Sequence, residues 1–329
     1  MAKKILVTAN LQNPEFDSPD RQKGIDMLRQ YAEVEFYNVS ELTAEHAQGV
    51  VGVLANSVVF TPAFYDAATD LRIVARWGVG FEKVNIKAAT EQGVLVTVSP
   101  VHMVTVAEYA IAQWMATLKR VYTLNQNSHA GKFQVIRTYE AAGSTLGIWG
   151  LGRIGQAMAE RARPLLGPTG RLLVYDVRPD IHEIAAKYNA EVVTHSRQLF
   201  ESCDTISLHL SGDDTVVTYD LLCAMKPHAS LINPSRGNLV DDAAVNRAIK
   251  EDRLFYYVVD DPVNGPREIH KDHPRIICTN HNAGITVESA SRLDLCCVNQ
   301  IIDAIEGREP QHVLNHEVFT HPRVRAFLK

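Results

Sequence analysis

Apolar residues in this chain come in short runs of four or five, set between stretches whose apolar positions repeat at helical spacing. Residues 5–8, 34–37, 52–55, 73–76 and 94–98 read as strands, and 21–31 and 83–92 as helices between them. Strands alternating with helices predict a parallel sheet. A long helix is expected over about 104–125, with Val106, Tyr109, Ala110, Trp114 and Leu118 on one side and Gln113 the exception. The alternation resumes at Thr145, with strands expected at 172–175, 191–193, 205–210, 230–233, 256–259 and 276–279. A helical tail over about 289–306 is expected to return to the first part of the chain.

The join between the first strand and helix of this second series is Gly150-Leu151-Gly152-Arg153-Ile154-Gly155. It follows the apolar run Leu146, Ile148, Trp149 and is a G-x-G-x-x-G turn. Gly150 permits the tight turn, Gly152 lets a pyrophosphate approach the backbone, and Gly155 lets the helix pack on the strand. The free N–H groups of that helix, which opens at Arg153 and Ile154, suit phosphate binding. The next strand ends at Asp176, an acid suited to the two hydroxyls of an adenosine ribose. Asp176 lies 26 positions after Gly150. The usual interval is about 20, and residues 166–170, rich in glycine and proline, account for the excess as a longer loop. An acid there repels a 2′-phosphate, which favours NAD; Arg178, two residues on, leaves NADP open.

Composition narrows the class. The chain has 329 residues, enough for two domains, with 46% hydrophobic and 22% charged residues. Net charge is −5, which argues against general nucleic-acid binding. No run of apolar residues is long enough for a membrane span. The five cysteines include no C-x-x-C pair. That suits free thiols in a reducing, cytoplasmic setting and gives no support to a metal site. The nucleotide turn falls mid-chain, which suggests a nucleotide domain inserted into a smaller one. The boundaries expected are 1–100 with 288–329 for the substrate domain and 101–287 for the nucleotide domain. His270 and His273 superficially suggest metal ligation, but a solvated loop is the simpler expectation.

Five segments together resemble the D-isomer-specific 2-hydroxyacid dehydrogenases. They are Arg76-Trp77-Gly78-Val79-Gly80, the helix opening Thr105-Val106-Ala107-Glu108, the turn 147–155, the stretch 233–241 around Arg236, and 279–284 around His281. The likeness covers nearly the whole chain. It implies an α/β fold of two doubly wound parallel sheets, a Rossmann NAD-binding domain inserted into a flavodoxin-like substrate domain. It implies hydride transfer between NAD and a small 2-hydroxy or 2-keto acid, in a cytoplasmic homodimer. Arg236 then grips the substrate carboxylate through paired hydrogen bonds. His281 is the acid–base group and also faces the cofactor. Arg76, Trp77 and the N–H groups of Val79 and Gly80 line the carboxylate loop. Thr105 takes a cofactor phosphate, and Asp260 orients the nicotinamide carboxamide.

Two positions depart from the family pattern. A glutamate that supports the histidine normally stands five residues after the counterpart of Asp260; here that residue is Gly265. Formate dehydrogenases of the same group carry glutamine there. Asp261 and Glu268 are the nearby acids able to substitute. His102 occupies a position the family often fills with asparagine near the substrate. The missing acid keeps a second reading open: an NAD(H)-sensing binding protein with weak or lost catalysis.

Overall fold

The computed structural model describes residues 2–13, 17–212, 214–260, 267–270 and 273–329. The chain forms two compact units, Met1–His102 with Ile285–Lys329, and Met103–Gly284.

The first unit contains β1 (Lys4–Thr8), β2 (Glu33–Tyr37), β3 (Glu41–Leu42), β4 (Val50–Ala55), β5 (Val59–Phe60), β6 (Ile73–Arg76) and β7 (Leu95–Thr97). Five of these make a parallel sheet in the order β2-β1-β4-β6-β7, and β3 pairs with β5 separately. Counted within the sheet, the order is 2-1-3-4-5, the flavodoxin-like doubly wound arrangement. Both faces are buried over the central strands, so β4 and β7 are apolar or small almost throughout, whereas the edge strand β2 alternates Glu33, Val34 and Glu35. Ile5 and Val7 join a core with Ile25, Leu28 and the helix Val287–Glu306, whereas Leu6 and Val53 pack with Phe64 and Tyr65 on the other face. The parallel strands bring the segments after β1, β4, β6 and β7 to one edge. They interlock there: the Asn56 N–H donates to the Thr8 side chain, at Oγ1, at 3.0 Å, and the Ser99 N–H to the Gly78 carbonyl at 2.8 Å.

The second unit contains β8 (Thr145–Trp149), β9 (Arg171–Tyr175), β10 (Glu191–Val192), β11 (Thr205–Leu208), β12 (Ser230–Asn233), β13 (Tyr256–Val259) and β14 (Ile276–Cys278). Its parallel order is β10-β9-β8-β11-β12-β13-β14. That is the 3-2-1-4-5-6 order of a Rossmann sheet with a seventh strand added. The order reverses between β8 and β11, which marks the crevice where such sheets bind ligands.

The single long helix expected after residue 104 is two helices, Met103–Leu118 and Val121–His129. The break is at Arg120, in the left-handed region with φ 51°. Its guanidinium lies over the Phe255 ring at 4.0 Å, and Thr123, just past the break, bonds the Tyr256 hydroxyl. Tertiary contacts set this turn; the local sequence contains neither Gly nor Pro to announce it. The β3–β5 pair was not foreseen either, because two-residue strands leave no periodic pattern.

Candidate dinucleotide and substrate site

In the second unit, β8 runs into Gly150, which has φ +96°. A Cβ there would lie 2.3 Å from the His209 carbonyl oxygen, so only glycine fits. A Cβ on Gly155 would lie 2.0 Å from the Gly150 carbonyl oxygen, so this glycine sets how closely the helix Arg153–Leu166 approaches the strand. A Cβ on Gly152 would meet nothing within 4 Å. The bareness of Gly152 therefore serves no internal packing; it leaves the helix N-terminus open to an approaching anion, as a pyrophosphate cradle requires. Arg153 is exposed and Ile154 half-buried in the first turn.

Asp176 follows β9, and its carboxylate accepts the N–H of Leu151 at 2.6 Å and that of Arg178 at 3.0 Å. The acid and the glycine turn are thus one structure. The Arg178 guanidinium is directed to Asp180, with a shortest contact of 2.5 Å, and to the Leu151 carbonyl. Hydrogen bonding to Asp180 raises the Arg178 pKa and lowers that of the acid.

Arg236 lies just past β12 and is half-buried. Asn233 shapes its loop: the side-chain amide donates to the Arg236 carbonyl at 2.8 Å, and Oδ1 accepts the Ser235 N–H at 3.1 Å. The Asn233 carbonyl also accepts the Asp260 N–H, which joins this loop to the end of β13. Asp260 is 2% exposed. Its carboxylate accepts Thr279 Oγ1 at 2.5 Å, the Asn282 N–H at 2.9 Å and the Ala283 N–H at 2.6 Å. Tyr109, from the helix Met103–Leu118, bonds Thr279 at 2.6 Å, and burial pushes its phenol pKa up, so it remains protonated. Within this brace stands His281, exposed and left-handed at φ 55°. Non-glycine residues at positive φ are uncommon, and such strain persists where the surroundings over-determine it. Thr105 is buried in the first turn of the Met103–Leu118 helix.

His209 was not foreseen. It follows β11 at the crevice, where its N–H donates to the Trp149 carbonyl at 2.7 Å. Its Nε2 contacts Ser207 Oγ and Met158 Sδ, each at 3.0 Å, while Nδ1 is enclosed with no protein partner. The residue as a whole is half-buried, but the imidazole is not, and burial lowers its pKa to about 3. The ring is neutral.

The first unit corrects two assignments in the carboxylate loop. Arg76 donates from Nε to the Gly80 carbonyl at 2.6 Å, and from Nη1 to the carbonyls of Ala55 at 2.8 Å and Asn56 at 2.6 Å. These donors are turned inward onto backbone, so Arg76 shapes the loop. Trp77 is 4% exposed, and its indole N–H donates to Asp294 at 2.7 Å. It belongs to the core, with Asp294 as its unforeseen partner. Gly78 turns at φ +123°. Val79 is exposed, and among the described residues the N–H groups of Val79 and Gly80 meet no protein acceptor. His102 is half-buried at the end of this unit's first segment.

His270 is buried, not solvated as expected. Its Nε2 lies 2.8 Å from Asp242, which also takes Arg267 Nε at 2.6 Å. Burial opposes the Asp242 charge, but its hydrogen bonds to His270 and Arg267 outweigh this and lower its pKa. Among the described residues, no three His, Cys, Asp or Glu side chains are grouped to hold a metal ion, and no helix is long and apolar enough to cross a membrane. Asp261, Gly265 and the Glu268 side chain lie outside the described parts.

The glycine turn, the acid after β9 and the reversal of strand order define a dinucleotide-binding protein of the doubly wound class. Residues 111–283 match the family model described as D-isomer specific 2-hydroxyacid dehydrogenase, NAD binding domain. The chain is 33% identical over 272 residues to a glyoxylate reductase of Korarchaeum cryptofilum, covering 77% of this chain and 79% of that one. It is 29% identical over 330 residues to a D-3-phosphoglycerate dehydrogenase of Synechocystis, covering 95% of this chain and 58% of that longer one. Among solved structures, the TT0316 protein of Thermus thermophilus superposes with a TM-score of 0.78 at 26% identity, covering 94% of this chain and 99% of that one. A glyoxylate reductase of Paecilomyes thermophila superposes with a TM-score of 0.81 at 20% identity, covering 95% and 99%. This chain belongs to the D-isomer-specific 2-hydroxyacid dehydrogenase family. It is an NAD-dependent oxidoreductase whose substrate is a small hydroxy acid or the matching keto acid.

Proposed function

We propose that Arg236 grips the substrate carboxylate and polarises the adjacent carbonyl, and that His281 moves the hydroxyl proton. The observation that carries this reading is the buried Asp260 carboxylate. Through the two peptides after His281 it holds that side chain at a strained backbone and leaves it exposed to a substrate. When bound, NAD takes the hydride from the hydroxy acid, or returns it from the reduced form. His281 then accepts the hydroxyl proton in oxidation and donates it to the carbonyl oxygen in reduction. The N–H groups of Val79 and Gly80 are offered to the carboxylate. His102 is assigned a part in choosing the substrate. Asp176 holds the ribose, the turn from Gly150 to Gly155 and Thr105 hold the phosphates, and Asp260 also serves the carboxamide.

Relatives named glyoxylate reductase make glyoxylate the first probe, followed by hydroxypyruvate and pyruvate. NADH oxidation is expected with at least one of these keto acids. Arg236→Ala should abolish it while NADH affinity, read by fluorescence, stays within about threefold. Arg236→Lys should recover little, because an ammonium cannot reproduce two parallel hydrogen bonds. A lysine variant of near-normal efficiency would remove Arg236 from this role.

Gly265 favours a second reading, an NAD(H)-sensing protein without efficient catalysis. NADH binding with no turnover of any keto acid is its signature. We also propose a homodimer: Phe133 and Val135 are 89% and 95% exposed, an apolar pair that a second copy would cover. Light scattering of the full chain tests this, with a monomer as the contrary result. The free state of all five cysteines supports a reducing, cytoplasmic location.

A further inference from the structure

The loop that offers Val79 and Gly80 is fastened to a buried acid on another element. We propose that Asp294 is a positioning residue for substrate-carboxylate binding, acting through the Trp77 indole. This rests on the reading of Val79 and Gly80 as carboxylate donors.

Asp294 lies in the helix Val287–Glu306 and is 1% exposed. A carboxylate buried this deeply is costly unless it is paired and hydrogen-bonded. It is both. It accepts Ser18 Oγ at 2.5 Å, Arg21 Nε at 2.8 Å and Trp77 Nε1 at 2.7 Å. Arg21 is itself buried, and its Nη1 also bonds the Leu11 carbonyl. The helix needs no acid here to pack on the sheet, since Ala290, Leu293, Cys297 and Val298 already fill that contact. What the acid adds is position. Ser18 and Arg21 belong to the connection that leaves β1, Trp77 to the one that leaves β6. One carboxylate thus ties together two connections at the same edge of the sheet.

The loop depends on its anchors. The Trp77 N–H continues the pairing of β6 with β4 through the Ala55 carbonyl. At Gly78 the chain turns with no heavy atom within 4 Å of where a Cβ would stand. From there the direction of Val79 and Gly80 is set by few contacts: the Ser99 N–H on the Gly78 carbonyl, Arg76 on the Gly80 carbonyl, and the indole N–H on Asp294. Without the indole bond one of these anchors is lost and the loop is held less firmly, so two N–H groups that must point at one carboxylate do so less often. That loss falls on the substrate and its transition state alike, so it raises KM and spares kcat.

The experiment is steady-state kinetics of the full chain with NADH and glyoxylate, or whichever keto acid the unmodified protein reduces best. Trp77→Phe keeps the ring and removes only the donor. Asp294→Asn keeps an acceptor for the indole and drops the charge; Asp294→Ala removes both. KM is expected to rise about tenfold in Trp77→Phe, the size of one buried hydrogen bond. It should rise less in Asp294→Asn and most in Asp294→Ala, with kcat within about twofold and NADH affinity unchanged. If Asp294→Ala does not fold, Trp77→Phe decides alone. A lowered melting temperature with normal KM in the variants overturns the proposal, because Asp294 then only stabilises the fold. Val79→Pro deletes one proposed donor and separates the two readings. An unchanged KM there removes the carboxylate role of the loop, and this inference with it. A raised KM in Val79→Pro beside a normal KM in Trp77→Phe overturns the Asp294 proposal alone.

Discussion

Asp260 holds His281 without touching it: the carboxylate accepts the peptide N–H groups of Asn282 and Ala283, the two residues that follow the histidine. A third bond, from Thr279, fixes the approach to it. Asparagine at position 260 presents an NH2 group where one of these donors points, so a bond is replaced by a repulsive contact. Asp260→Asn is expected to lose most keto-acid turnover and to cost about 2–4 kcal/mol of stability. Thr279→Val, which removes one of the three bonds to the carboxylate together with the bond to Tyr109, should cost about 1.5–3 kcal/mol. Chemical denaturation beside kinetics measures both, and an Asp260→Asn protein of full activity would contradict the bracing role.

The two glycines of the nucleotide turn should fail in different ways. Gly155→Ala places a methyl group against the Gly150 carbonyl, where backbone must move. Loss of at least about 1–3 kcal/mol of stability is expected. Gly152→Ala points into open space, so its melting temperature should match the unmodified protein while NADH affinity falls. Equal NADH affinity in Gly152→Ala would place the pyrophosphate elsewhere.

Cofactor preference is expected to follow Asp176. The unmodified protein should favour NADH over NADPH in kcat/KM, and Asp176→Ala should narrow the ratio by about tenfold or more, the scale of a charged hydrogen bond. The neighbouring guanidinium of Arg178 is directed to Asp180 and the Leu151 carbonyl, which favours NADH further. Arg178→Ala should therefore leave the preference for NADH in place. Equal efficiency with both cofactors in the unmodified protein contradicts the assignment.

The buried His209 predicts a pH dependence of stability. Its folded pKa, about 3, lies below the unfolded value of about 6.5. Between these values the unfolded chain binds the extra proton, so stability falls as pH drops from about 6.5 toward 3. The slope from this one group is at most about 1.4 kcal/mol per pH unit. Urea denaturation at pH 7 and pH 5 should show the loss, and His209→Gln should reduce it. An identical pH slope in that variant would assign the effect to other groups.

The parts of this molecule that the sequence displays are those where backbone geometry restricts the choice of residue. Gly150 and Gly155 each stand where a side chain would strike a carbonyl, and β12 and β13 span the segments 230–233 and 256–259 expected for them. The alternation of strands and helices announced the parallel sheets, and the family resemblance implied their doubly wound order. The braces were not visible. Trp77 and Asp294 are 217 positions apart, Tyr109 and Thr279 are 170 apart, and nothing near either member marks the other. The inward turn of Arg76 was hidden for a related reason. A guanidinium that binds a substrate carboxylate and one that binds backbone carbonyls of its own and a neighbouring segment are written with the same letter.

One feature of the first unit bears on how the chain is made. The helix Val287–Glu306 supplies Leu293, Cys297, Val298 and Ile301 to the core that covers one face of the β1–β7 sheet. A ribosome delivers that helix only after all of Met103–Gly284 has been synthesised. Until then Ile5, Val7, Leu54 and Ile73 have only part of their cover, from Leu11, Ile25 and Leu28, so the amino-terminal strands wait with some of an apolar face open to water. The nucleotide unit has every strand of its own sheet in one continuous segment and can fold first. The order of birth and the order of completion are therefore reversed, and the nascent amino-terminal segment Met1–His102 is where a chaperone would be needed.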